Sequence, residues 1–277
     1  MYTFNSSIIY QKITVVLNLI HVGDYVVCGM GSGVSILPEV YASLSEEEKV
    51  KAQAQFDALV AQGMTAEEAI SNLQAVTTVY IPLTDLLTAI EQSVANGKTP
   101  LIVDRSADNK VDTFFSYRSA VVLDGKKMGL DKSINKIPVE EILESARKKL
   151  VNALKYGYPF VIALQQSVTD FATTFTDEAC PDLPSNVEHY FPRLVFERGG
   201  KGLLSDESLN SLFREEDKEG GVAFCRDASN FHVVITTRFS PDDFAGYLFD
   251  NEWGLPKPQS NYQFIIIQYD ENEPLLS

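Results

Sequence analysis

Three stretches of this sequence carry residue types that could hold a phosphate or a nucleotide. Gly29-Met-Gly31-Ser-Gly33 follows the apolar run Tyr25-Val-Val-Cys28, where a dinucleotide fingerprint could begin. That fingerprint needs G-x-G-x-x-G, with a third glycine letting the next helix pack on the strand. Position 34 is Val and Pro38 follows, so a flexible glycine turn is the expected reading and a dinucleotide-dependent oxidoreductase ranks last. Gly97-Lys98-Thr99 resembles the end of a phosphate loop, yet Gln92 stands where its first glycine belongs. The loop also requires strand, then glycines, then helix. Here a helix precedes the tripeptide and a strand follows, so a helix stop is expected.

The third stretch, Asp104-Arg-Ser-Ala-Asp-Asn-Lys110-Val111, follows a strand and precedes a helix, as a phosphate loop should. Lys110 falls at the position of a phosphate-binding lysine. Asn109 replaces the glycine before it and Val111 the magnesium-binding Ser or Thr. With no glycine in the turn, the backbone is poorly suited to wrap a phosphate, and Asp104 and Asp108 would repel one. A later strand that should end in acidic residues to hold magnesium ends in Leu164-Gln-Gln166. Thr236 and Thr237 close another strand, where a polar sensor of the γ-phosphate would sit. The expected site is therefore degenerate: no catalytic residue, no metal and no cofactor. Were a nucleotide to bind, Asp104, Asn109, Lys110, Thr236 and Thr237 would surround it.

The elements that must position these residues change in character along the chain. Within residues 1–80, Ser45-Glu-Glu-Glu48 and Thr65-Ala-Glu-Glu68 are capping boxes, each opening an apolar helical face. Joined at Gly63-Met64, they predict an αα-hairpin over about 45–75, suited to packing or docking. From residue 81 to 277, helix and strand alternate. Helices are expected from Thr84 to Gly97, Asn109 to Tyr117, Pro138 to Gly157 and Leu203 to Phe213. Strands are expected at Pro100–Asp104, Ala120–Leu123, Pro159–Leu164, Phe231–Thr237 and Phe264–Gln268, with an additional one at Gly221–Cys225. Strands apolar on both faces and separated by helices predict an α/β fold with a doubly wound parallel sheet, helices on both faces, and ligands at the carboxyl ends of its strands. The charge run Arg214–Glu219 is expected to be a solvated helix end.

Composition narrows the function classes. The 277 residues are 45% hydrophobic and 22% charged, which excludes a wholly disordered chain. Lys and Arg number 23 against 38 Asp and Glu, a net charge of −15 that repels nucleic acid. Cys28, Cys180 and Cys225 lack metal or disulfide spacing, and His21, His189 and His232 are scattered. The apolar stretch from Ile8 to Cys28 is interrupted by Gln11, Lys12, Asn18, His21 and Asp24, so neither a membrane span nor a secretory signal is expected.

The segment from Leu83 to Leu276, about two-thirds of the chain, resembles the fifth AAA module of dynein heavy chains, the ATP-binding dynein motor region. The resemblance is carried by Thr99-Pro-Leu-Ile-Val-Asp104 with Ala107-Asp-Asn-Lys110, by Leu150-Val-Asn-Ala-Leu-Lys-Tyr-Gly-Tyr-Pro-Phe-Val-Ile162, by Phe231-His-Val-Val-Ile-Thr-Thr-Arg238, and by Phe264-Ile-Ile-Ile267 before an acidic tail. It implies a P-loop NTPase-like, AAA-type fold, preceded here by the small helical N-terminal region, with a nucleotide site lacking Walker A and Walker B residues. It also implies a structural role in cytoplasm, cytoskeleton and ciliary axoneme, with axonemal or microtubule-associated proteins as partners. No stalk coiled coil and no second module follow, so a freestanding relative and not a motor is expected. The insert between Thr174 and Gly221 is long and acidic for such a module. Because tubulin's surface is itself acidic, docking through other proteins is favoured over direct electrostatic binding to the outer microtubule wall. The alternative is a nucleotide-binding protein or ATPase with an atypical phosphate loop.

Overall fold

The computed structural model describes residues 78–179, 189–250 and 252–269. The glycine motif at 29–33 and the expected αα-hairpin at 45–75 lie outside these residues, as do Cys28, Cys180 and His21. The described residues from Ile81 onward belong to one compact unit.

Six strands form one parallel sheet in the order β1-β6-β2-β5-β4-β3, with helices around it. They are β1 (Thr78–Pro82), β2 (Thr99–Val103), β3 (Val121–Asp124), β4 (Phe160–Gln165), β5 (Val233–Thr237) and β6 (Tyr262–Gln268). Every residue of β2 and β5 is buried, as their unbroken apolar runs require in a sheet covered on both faces. The helices are α1 (Leu86–Ala95), α2 (Lys110–Ser116), α3 (Gly125–Ser133), α4 (Val139–Tyr156), α5 (Asp206–Leu212) and α6 (Phe244–Phe249). Their ends follow local chemistry. Pro138 precedes α4, whose first turn is acidic and whose last turn holds Lys155, matching the helix dipole. Gly157, at φ 69°, then closes α4 in the left-handed conformation. A β-carbon there would lie 2.6–2.7 Å from atoms of Asp227, so the same glycine allows the 227 loop to approach.

Several expectations are corrected. Gly221–Cys225 is not a strand. Gly220 and Gly221 both adopt positive φ, and the turn they make leaves only an isolated bridge between Glu219 and Val222. The helix expected from Leu203 begins at Asp206, because Ser205 caps it by accepting the Ser208 N–H. The charge run is a short 3₁₀ turn over Glu215–Asp217, and Asp217 reaches back to a wholly buried Arg147 on α4. The insert is also part of the core. Phe191 and Phe196 pack with Phe171 at centroid separations of 6.0 and 5.0 Å, and all three are buried. Two helices escaped the sequence reading, α3 because Gly125 and Gly129 interrupt its pattern, and α6 because it spans six residues.

His232, immediately before β5, is 9% exposed. Its Nδ1 lies 2.7 Å from the Asn230 carbonyl, which can only accept, so Nδ1 carries the proton. Burial lowers the imidazole pKa to about 4; the Asn230 bond opposes this, while Lys201 and Arg118 add to it. The native imidazole thus stays neutral while an unfolded one, with pKa about 6.5, takes up a proton. Stability is full above about pH 6.5 and falls by about 3 kcal/mol as pH drops toward 4. Urea unfolding at pH 7 and pH 4.5 should show this slope in the wild type, and a much smaller one in His232→Gln.

Candidate functional site

The carboxyl ends of β2, β5 and β4 lie side by side. Val103 pairs with Thr237, and the Asp104 N–H donates to the Thr237 carbonyl at 3.0 Å. Thr237 pairs in turn with Gln165, past an irregularity between Ala163 and Gln165. Gln165 has φ 58°, and its carbonyl accepts from both the Arg238 N–H at 2.8 Å and the Thr237 hydroxyl at 3.1 Å. At the end of this central group of strands the sheet thus presents Asp104, Thr236, Thr237 and Gln165 to one small cleft, with Asp112 and Arg238 beside them.

The loop that follows β2 satisfies its own polar groups. Asp104, 4% exposed, accepts the Ser106 N–H at Oδ1 (2.8 Å) and the Val111 N–H at Oδ2 (3.1 Å). Tyr269, just after β6, donates its hydroxyl to the same Oδ1 at 2.6 Å. The Ser106 hydroxyl accepts the Lys110 N–H at 2.9 Å, and the Arg238 Nη2 donates to the Ser106 carbonyl. The first amides of α2, which a bound phosphate would occupy in a phosphate loop, are therefore taken by two side chains of the same loop. Asn109 adopts φ 54° and ψ 49°, a left-handed conformation that asparagine tolerates better than most residues. That is the position where a phosphate loop has glycine.

Neither a family model, a curated protein nor a solved structure matches this chain.

Of the five residues expected to surround a nucleotide, Asp104, Thr236 and Thr237 meet at the cleft, and Asn109 and Lys110 are not among its lining residues. The Lys110 ammonium lies 5.2 Å from the centre of the Tyr269 ring, a cation–π arrangement. The cleft itself has about 10 Å³ of free space, about one water molecule's worth and several times too small for a phosphate group. Its charge is unfavourable as well. Burial, and then the neighbouring Asp104 carboxylate, raise the Asp112 pKa against the opposing pull of Arg238. Among the described residues no group of three or more His, Cys, Asp or Glu could hold a metal ion, and no helix is long and apolar enough to cross a membrane.

The second motif is structural too. Gly97, at φ 72°, follows the end of α1, and the wholly buried Thr99 hydroxyl donates to the Phe196 carbonyl and accepts the Gly199 N–H, both at 2.9 Å. Three participants of the cleft went unseen in the sequence. Arg238 and Tyr269 come from beyond the ends of β5 and β6, and only the strand order places them beside Asp104. Ser106 lies within the loop, but nothing in its spacing marked it as a cap for α2.

Proposed function

We propose that this chain is a non-catalytic structural or adaptor protein, built on a P-loop NTPase-like, AAA-type module akin to the fifth module of dynein. One observation carries the reading: the Asp104 carboxylate takes the amide donors that a nucleotide phosphate would need. The surrounding layout supports it. A glycine-free loop follows a central strand, the sensor-like Thr236 and Thr237 end the adjacent strand, and Gln165 ends the next, without the acids that phosphoryl transfer uses to hold magnesium. For a nucleotide to bind, Asp104 would have to release two backbone amides and a tyrosine hydroxyl, and then share the site with an anion. On this reading the partners are axonemal or microtubule-associated proteins of the cytoskeleton and cilium.

The test is calorimetric titration of the purified chain with Mg-ATP, Mg-ADP and Mg-GTP. The expected result is no binding heat and no thermal stabilisation up to millimolar ligand, after which crosslinking in axonemes would seek the partners. Micromolar binding would overturn the reading and make hydrolysis the next measurement.

A further inference from the structure

At the amino end of the sheet, away from Asp104, lies a second cleft of about 590 Å³. That is the size of a small-molecule site, commonly about 300–1,000 Å³. Pro159 and His232, the residues before β4 and β5, contribute to its lining. Leu87, Ile90 and Val94 of α1 provide an aliphatic wall, and Phe114 of α2 an aromatic one. The Arg118 guanidinium lies 4.6 Å from the Phe114 ring centre, so this wall carries a positive charge.

The polar groups are unevenly committed. Lys201 lines the cleft, but its ammonium donates to the carbonyls of Ala228, Ser229 and Phe231, so it contributes charge and no spare donor. Glu91 is exposed and also lines the cleft, so one carboxylate accompanies the two cations. His232 differs: its Nδ1–H is spent on the Asn230 carbonyl, which leaves Nε2 as a bare acceptor. No group among the described residues donates to it. An acceptor that no described protein group serves, on a residue 9% exposed and beside aliphatic and aromatic walls, is one that a ligand's donor would complete.

We propose that this cleft binds a small hydroxylated aromatic compound, a phenol or naphthol in chemical class, with its ring between α1 and Phe114 and its hydroxyl donating to His232 Nε2. The hydroxyl oxygen, made electron-rich by that donation, faces the positive field of Arg118 and Lys201. A carboxylate would set its lone pairs against that of Nε2 with no proton to share. This site is independent of the phosphate-loop reading.

The test uses three probes with one ring system: 2-naphthol, 2-methoxynaphthalene and 2-naphthoate. By NMR on the whole chain, 2-naphthol should shift the amides of Ile90, Val94 and Phe114 and the His232 ring, and bind about 10-fold more tightly than the methoxy compound, which cannot donate. His232→Leu should reduce that preference to about one. Because this variant can lose stability, the wild-type comparison of the three probes stands by itself. Equal binding of the naphthol and methoxy compounds, tighter binding of the naphthoate, or no shifts at these residues would each overturn the proposal.

Discussion

Replacing Arg147 with alanine is expected to cost about 3–5 kcal/mol of folding stability, the usual penalty for breaking a buried ion pair from one side. Arg147 is wholly buried at the middle of α4. Its Nε and Nη2 fork onto the two carboxylate oxygens of Glu144, both at 2.7 Å. Nη1 bonds Asp217 Oδ2 at 2.5 Å and the Leu212 carbonyl at 2.8 Å. One guanidinium thus ties the end of α5 and the following 3₁₀ turn to α4. Burial alone would lower its pKa; the bonds to Glu144 and Asp217 outweigh that and hold it above the ordinary arginine value. The bond from Arg147 depresses Glu144; at Asp217 burial pushes upward most strongly, but the bonds from Arg147 and the Arg214 N–H, with the charges of both arginines, together outweigh it. Because both carboxylates have depressed native pKa values, their contribution is full above the unfolded values near about 4 and fades as pH falls through the native ones. The gap between wild type and Arg147→Ala, measured by urea unfolding, should therefore narrow below about pH 4. Hydrogen exchange at residues 206–218 should accelerate before that of β2 and β5. Arg147→Lys, which cannot make the fork, should fall between the two. A loss below about 1 kcal/mol would mean that the buried cluster is not a principal tie of the insert to the sheet unit.

The sequence made most of the sheet legible, because β2, β4, β5 and β6 each have an interior apolar run; β1, of whose five residues only Ile81 is buried, was not read as a strand. The sequence made α4 legible through Pro138, the Leu143–Leu150–Leu154 face and Gly157. The strand, turn and helix in succession around Asp104–Lys110 were also readable, since they depend only on local pattern. What filled that turn was not. Asp104 read as a source of repulsion toward phosphate, whereas in the fold it is the anion that the loop amides bind. That role depends on Tyr269 and Arg238, which lie more than a hundred residues away and reach the loop only through the order β6-β2-β5. The charge run Arg214–Glu219, whose Glu215, Glu216 and Glu219 are exposed, was read only in part for a related reason. Its charges suggested a solvated surface, but Arg147 lies on a helix whose apolar face concealed the one buried cation that Asp217 neutralises. His232 is a third case: scattered histidines suggest nothing in sequence, and only its burial gives it a tautomer and an unspent nitrogen.

Asp104→Ala is the substitution that most directly separates a self-filled loop from a nucleotide site. If Asp104 serves the loop, its removal leaves the Ser106 and Val111 amides and the Tyr269 hydroxyl without their acceptor in a buried setting. Hydrogen bonds to a charged group are worth about 1.5–3 kcal/mol each, and three that share one carboxylate do not add fully, so the expected loss is about 4 kcal/mol. Tyr269→Phe removes one of the three and should cost about 1–2 kcal/mol. Combined with Asp104→Ala it should add little, because the partner is already gone. Asp104→Asn keeps the size but offers a single acceptor oxygen, and should fall between the two. If Asp104 instead existed to hold a metal–nucleotide complex, the alanine variant would keep near-wild-type stability without ligand and lose a ligand-dependent shift in melting temperature. The two accounts differ in the unliganded protein, where the first requires a large loss and the second almost none. Denaturant unfolding of wild type, the three single variants and the double variant therefore decides between them without any nucleotide present.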